Sequence, residues 1–231
     1  MDFQSPLYTA FLIRRRAKVL ADAQFETGEC AVVLCPNTTR MTGLARSGTE
    51  IRLSYRPKPG RRLCYVWETA VVNGAMVGVN LNRQRDLVAE AVENGVLHEL
   101  GGYAEIRPAA SRYLDLTLIP AENSGFPECQ VAIAPLYVKN GADLVFPDGI
   151  DVANHHVLRQ MERALNAGQR AVLLLLAQRI DGIGVRAGWT RDAQYMTALR
   201  DLCDKGLEII CCGCSVSDQG IWLTARLPFM F

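Results

Sequence analysis

The 231-residue chain predicts an α/β protein, α+β overall, in which a small all-β barrel precedes an α/β domain. Three observations carry that expectation. Residues 1–80 consist of short runs of mixed β-branched and apolar residues, with no competing helical period. From Asn82 the period changes, and Leu87, Val88, Ala91 and Val92 line one face of a helix. The stretch from Ser111 to His156 then holds three strand-like runs, SRYLDLTLI, CQVAIAPLYVKN and LVFPDGID, bracketed by Pro and Gly. The change of period places the domain boundary between residues 81 and 82, giving domains 1–81 and 82–231.

In the first domain the expected strands are Leu7–Ile13, Lys18–Phe25, Ala31–Leu34, Ile51–Tyr55 and Leu63–Val72. A short return strand, Met76–Val79, follows the Asn73-Gly74 hairpin signal. Five or six short strands in 80 residues suit an OB-like barrel, a Greek-key form that often binds nucleic acid, and equally suit other small barrels. In the second domain Asn82 caps a helix that ends at Gly95. Strands Tyr113–Ile119, Cys129–Leu136 and Ala142–Phe146 come next. A helix marked by Val157, Leu158, Met161 and Leu165 ends at Gly168, and Ala171–Ala177 is a continuous apolar strand. Gln178–Trp189 reads as Gly-rich loop. A helix marked by Tyr195, Leu199 and Leu202 and the strands Leu207–Cys212 and Ile221–Thr224 complete the chain. Helices between the later strands make those strands parallel.

Composition narrows the class. Apolar residues make up 49% and charged residues 21%, the balance of a soluble globular protein. The longest apolar run, Ala171–Ala177, is a buried strand's length and far short of a membrane span. The opening MDFQSPLY lacks a basic segment followed by an apolar block, so no signal peptide is read and a cytoplasmic location follows. Eight cysteines show no C-x-x-C pairing, and LEIICCGCSV alternates like a strand, so they read as reduced small hydrophobes. Only three histidines are present and none lies beside a cysteine pair, which argues against zinc.

Net charge is +1, yet residues 1–80 hold eleven Lys/Arg against six Asp/Glu, while residues 81–231 hold fourteen against eighteen. A basic N-terminal portion points to a phosphate-bearing partner. The basic residues fall in two bursts: Arg14, Arg15, Arg16 and Lys18, then Arg56, Lys58, Arg61 and Arg62 in the exposed loop RPKPGRR. On a strand Arg14 and Arg16 share a face and Arg15 points away. The loop CPNTTRMTGL adds Asn37, Thr38 and Arg40, whose polar groups suit either phosphate contact or the loop's own hydrogen bonds. Stacking aromatics on the barrel are few, chiefly Tyr8, Tyr55 and Tyr65, so duplex DNA is expected to bind at least as well as single strand.

In the second domain Asp115 on the first strand and Asp148 after the third are the candidate catalytic and metal-ligating residues. Carboxylates on neighbouring strands are how metal-dependent nucleases hold their ion. The middle strand, which should add an acid and a lysine, supplies alanines.

Several boxes together resemble the sugar fermentation stimulation protein (SfsA) family. They are PLYTAFLIRRRAKVLAD, CPNTTRMTGL, Trp67-Glu68, Gly78-Val79-Asn80, LGGYAEI, Phe146-Pro147-Asp148, GQRAVLLLLAQR and Arg226-Leu227-Pro228, and they cover nearly the whole chain. The resemblance implies an N-terminal OB-like domain and a second domain similar to the PD-(D/E)xK nucleases. It also implies DNA binding and a role in regulating sugar utilisation. Asp115 and Asp148 match the family's acids. The family's Cys-to-Phe spacing of seventeen is kept between Cys129 and Phe146, which puts Ala132 at its Glu and Ala134 at its Lys. His156 stands at a second Lys. Sliding Val138-Lys139-Asn140 into the motif needs a five-residue gap and leaves Tyr137 at the acidic position.

The expected protein is therefore a DNA-binding one whose nuclease-like domain has lost catalysis. Two carboxylates alone would hold Mg²⁺ weakly, and no other cofactor is expected. The rivals are a divergent Mg²⁺-dependent nuclease using Asp115, Asp148 and migrated groups such as Glu128, Asp143 or His156, and a scaffold for protein interaction.

Overall fold

A computed structural model describes every residue except Lys18, Lys58 and Arg61. The chain forms two compact units. The first comprises Met1–Gln84 with the later segments Gln178–Asp181 and Cys214–Trp222. The second comprises Arg85–Ala177, Gly182–Gly213 and Leu223–Phe231.

The first unit is a closed OB barrel. Strands β1 (Tyr8–Arg16), β2 (Leu20–Phe25), β3 (Cys30–Leu34), β4 (Glu50–Tyr55) and β5 (Tyr65–Val72) run in the order β3-β2-β1-β4-β5, and a parallel β3–β5 pairing at Leu34 and Val66 closes the ring. Strand β6 (Ala75–Gly78) returns on β5 through Asn73-Gly74, both at positive φ, the conformation that an Asn-Gly hairpin turn needs. Ala10, Leu12, Ala23, Val33, Ile51, Leu53 and Trp67 fill the interior. Truncating a buried ring such as Trp67 costs about 3–5 kcal/mol. Strand β1 runs on through the three arginines, past the expected end at Ile13, with a bulge between Leu12 and Arg14.

The second unit opens with helix α1 (Gln84–Glu93). Its main sheet is built from β7 (Tyr103–Pro108), β8 (Leu116–Pro120) and β9 (Cys129–Pro135), followed later in the chain by three further strands. After β10 (Lys139–Asn140) and β11 (Asp143–Phe146) comes α2 (Val152–Asn166), then β12 (Arg170–Ala177), β13 (Val185–Ala187), α3 (Ala193–Asp204), β14 (Glu208–Val216), β15 (Ile221–Arg226) and β16 (Phe229–Met230). The main sheet has the order β15-β14-β12-β9-β8-β7. β12 lies parallel to both β9 and β14, as the intervening helices require.

Here the structure departs from the sequence reading. Among the three strands of the 111–156 stretch, β8 and β9 pair, but β11 belongs to a second sheet, β10-β11-β13-β16. Strand β13 lies in the segment read as Gly-rich loop. Strand β7 was not expected either, because an edge strand reading YAEIRP carries charge and faces water along much of its length. One core joins the sheets to the helices: Ala132, Leu144, Phe146, Leu158, Met161, Leu173, Leu175, Met196 and Leu199 pack together. Asp151 and Asp192 cap α2 and α3 by accepting from the amides of Ala153 and Tyr195, each at 2.9 Å.

All eight cysteines are free thiols. Burial pushes Cys211 up to about 12 and Cys129 and Cys212 up to about 11, so these thiols stay protonated and inert at neutral pH.

Candidate nucleic-acid interface and acidic positions

The basic bursts occupy opposite ends of the barrel. β1 is antiparallel to β4, so the turn after β1 and the loop after β4 emerge at different ends. At the first end Arg14 donates to Asp22 at 2.8 Å, and Arg16 pairs with the same carboxylate. The Arg14 hydrogen bond lowers the Asp22 pKa, with Arg16 adding to it against a smaller effect of burial. Arg15 points the other way, as alternation requires. It donates to the carbonyls of Thr39, at 2.8 Å, and Asn37. Asn37 is fully buried: its amide donates to the Val79 carbonyl at 2.8 Å, and its oxygen accepts from the Thr39 amide and hydroxyl at 2.9 and 2.7 Å. The CPNTTRMTGL loop is thus fastened from within, leaving Thr38 and Arg40 exposed. At the second end Arg56 and Arg62 are exposed. Lys18, Lys58 and Arg61 lie outside the described residues.

Sequence reasoning gave Glu68 no role beyond its family box, yet it organises the barrel's polar interior. Its carboxylate is fully buried and accepts from Ser54 Oγ (2.6 Å), Arg56 (3.0 Å), Asn80 Nδ2 (2.8 Å) and both Nε and a terminal nitrogen of Arg83 (2.7 and 2.9 Å). Burial by itself raises this carboxyl's pKa, but the bonds and charge of Arg83, with Ser54 and Asn80, outweigh it and hold the pKa below its usual value. Asn80 also caps the turn that carries Arg83 by accepting from the Asn82 amide at 3.1 Å. Two residues earlier Gly78 is required by space: a Cβ there would lie 2.5 Å from Gln178 Oε1.

Tyr8, Phe25, Tyr55 and Tyr65 gather where β1 and β5 begin and β2 and β4 end. Ring centroids lie 5.0–6.3 Å apart, with the Tyr8 pairs near edge-to-face. The rings pack on one another, although Tyr8 and Tyr55 keep nearly half their surface in water.

In the second unit Asp115 sits one step before β8. The ladder pairs Leu116 with Val131, and one further step sets Asp115 opposite Ala132. The Asp115 amide donates to the Val131 carbonyl at 2.8 Å, and one carboxylate oxygen accepts from the Ile133 amide at 2.7 Å, capping β9 where its neighbour has ended. The other oxygen accepts from Arg85 Nε at 3.0 Å. Ala132 is 2% exposed and belongs to the apolar core, with Ala134 packed against it. Asp148 follows β11 in the other sheet, and its carbonyl accepts from Arg191 at 3.1 Å. Among the described residues no three His, Cys, Asp or Glu side chains gather as an ion site. Of the migrated groups, Glu128 accepts from Gln130 and Gln169, Asp143 pairs with Arg186, and His156 stacks on Tyr113.

Fold and site together define a class: an OB barrel joined in one chain to a mixed α/β unit. Comparison with known proteins agrees. Residues 13–79 match the SfsA N-terminal OB domain and residues 82–220 match the sugar fermentation stimulation protein RE domain. Sugar fermentation stimulation protein homologs of Geotalea uraniireducens and Paramagnetospirillum magneticum are each 35% identical, over 98% of this chain and 98% and 97% of theirs. The solved structure of Pyrococcus furiosus SfsA in complex with Ca²⁺ superposes with a TM-score of 0.85 at 19% identity, covering 99% of this chain and 97% of that one. The chain belongs to the sugar fermentation stimulation protein (SfsA) family. No helix among the described residues is long and apolar enough to cross a membrane.

Proposed function

We propose that this protein binds DNA through the barrel and that its second domain, from residue 82 onward, does not cleave it. One observation carries the second half: the position opposite Asp115 is an alanine buried in the apolar core. A two- or three-carboxylate site with a lysine is what metal-assisted phosphodiester hydrolysis uses. At Asp115 the neighbouring strand offers methyl groups, and both carboxylate oxygens already accept from protein donors. The Pyrococcus furiosus relative was solved with Ca²⁺; the donors around Asp115 do not fit a divalent cation, and no step is routed through one.

The first half rests on the barrel. Strand β1 has nine residues, so its ends lie at most about 26 Å apart at ~3.3 Å per residue. Arg14, Arg16 and Arg40 at one end and Arg56 and Arg62 at the other thus offer cations to two separate stretches of a phosphate backbone. The tyrosines pack mainly on one another, which favours duplex over stacked single strands. Duplex binding in a location without membrane contact is the means by which such a protein would regulate sugar utilisation.

The test is retention of a duplex oligonucleotide at about 50 and 200 mM salt. Several phosphate contacts make affinity fall by orders of magnitude across that range, and no retention at the lower salt would favour a protein scaffold. Mg²⁺- or Mn²⁺-dependent cleavage that vanishes in Asp115→Ala would overturn the non-catalytic reading.

A further inference from the structure

The loop before Asp115 and the first turns of α2 build a row of four side chains that the barrel reading leaves out. The Arg112 guanidinium lies over the Tyr113 ring, 4.8 Å from its centroid, and donates to the Tyr113 hydroxyl at 2.6 Å. Tyr113 stacks on His156 with centroids 4.7 Å apart and planes 13° from parallel. One turn further along the helix, a terminal nitrogen of Arg159 lies 3.0 Å from His156 Nδ1.

Both arginines are exposed. In the same unit Arg85, Arg107, Arg170, Arg186 and Arg226 pair with carboxylates, whereas Arg191 donates to the Asp148 carbonyl and Arg200 lies over Trp189 and Phe231. What sets Arg112 and Arg159 apart is that they flank one aromatic stack. Arg112 and Arg159 have no carboxylate partner among the described residues. The acids closest to them in sequence are engaged elsewhere, Asp115 by Arg85 and Glu162 by Lys205. Docking the loop on α2 needs only the Tyr113–His156 stack. It does not need a guanidinium held at each end of that stack with its charge left uncompensated. A cation ordered by an aromatic ring, and not neutralised by an acid, is prepared for an external anion at little entropic cost.

We infer that Arg112 and Arg159, ordered by Tyr113 and His156, are a second nucleic-acid contact that takes backbone phosphates. The contact lies in the unit that has lost its acids, and it rests on the DNA-binding reading of the whole protein. Guanidinium suits the role because its planar fork matches phosphate oxygens. Tyr113 and His156 act as positioning residues.

Titrating a fluorescent duplex with the full-length protein at several salt concentrations tests this. Each phosphate contact contributes about one unit to the slope of log affinity against log salt. Replacing both residues, Arg112→Ala with Arg159→Ala, should lower the slope by about two and weaken binding at low salt about tenfold or more. Arg112→Lys with Arg159→Lys keeps the charges and should keep most of the slope. Tyr113→Ala keeps both arginines but frees Arg112, and should weaken binding about threefold where Tyr113→Phe, which keeps the ring, weakens it less. Melting temperatures of all variants establish that they are folded. Failure of the wild-type protein to bind at any salt would remove the underlying reading. A wild-type slope that falls in Arg62→Ala but stays unchanged in the double alanine variant would overturn this inference alone.

Discussion

Glu68 and Asp115 are both held by arginine, and they are held for different ends. Glu68 is fully buried and meets five hydrogen bonds from four side chains, so every lone pair has a partner and the charge is compensated. Asp115 keeps 24% of its side-chain surface in water, accepts one backbone amide and one arginine, and lies opposite Ala132 of β9. Glu68 has the surroundings of an architectural charge, inside a network that fixes Arg56, Asn80 and Arg83. Asp115 has the surroundings of a partly wet fastener: it holds the Ile133 amide of β9 with one oxygen and Arg85 with the other. An acid's family match therefore says less about its present role than the donors and acceptors around it.

The comparison breaks first at Glu68. Glu68→Gln leaves the largely buried Arg83 facing a neutral amide, and removing one partner of a buried pair typically costs about 3–5 kcal/mol. Chemical denaturation should show that loss, and a change below about 1 kcal/mol would mean the network is dispensable. The pH dependence has a defined sign. Because the folded-state pKa is lowered, this contribution is fully present above the unfolded carboxylate value and is lost as pH falls below it toward the folded value. Glu99 adds to the same acid limb: Arg226 hydrogen bonds, against burial, hold it at about 2. Melting temperature should therefore decline below about pH 4.5, and the decline should be shallower in Glu68→Gln.

A smaller effect, of opposite diagnostic value, is expected at Ala132. Placing a carboxylate in the packed core beside Leu173, Leu175 and Met161 should cost roughly 2–4 kcal/mol of stability. If the 132 position faces the same point as Asp115, Mg²⁺ should restore part of that loss in Ala132→Glu and leave the wild type unmoved. A melting temperature in the variant that ignores Mg²⁺ would show that the two positions do not share an ion. Asp115→Asn should cost less, about 1–2 kcal/mol, the value of a charge-assisted bond in a partly wet site.

What was legible in the sequence follows from periodicity and turn chemistry. The Asn73-Gly74 turn, the alternation of Arg14, Arg15 and Arg16, and the apolar strand Ala171–Ala177 each have one strong local cause. β7, β13 and β16 lacked one, since edge strands carry charge and two or three residues set no period. The assignment of β11 to a second sheet depends on pairing with Val185–Ala187, a contact more than forty residues away that no local pattern encodes. At the site, the spacing from Cys129 to Phe146 located Ala132, and the register to β8 sets that alanine opposite Asp115. The Glu68 network stayed hidden because its four partners come from β4, the loop after it and the turn after β6, and only folding collects them on β5. The same holds for Arg112, Tyr113, His156 and Arg159, two pairs more than forty residues apart.

The smallest expected effect separates two arginines that the sequence treated alike. Arg15 is half-buried and spends its donors on the carbonyls of Asn37 and Thr39, whereas Arg62 is exposed in the loop after β4. Arg15→Ala should lower stability by about 1–2 kcal/mol, because two buried-loop carbonyls lose a charged donor. Its salt slope for DNA should stay at the wild-type value once the protein is folded. Arg62→Ala should do the reverse, holding stability within about 0.5 kcal/mol and lowering the slope by about one unit. Measuring both quantities for both variants settles which arginine is a fastener and which meets phosphate. A slope that drops equally in the two would mean that Arg15 leaves its carbonyls to reach the DNA, and that the CPNTTRMTGL loop is remade on binding.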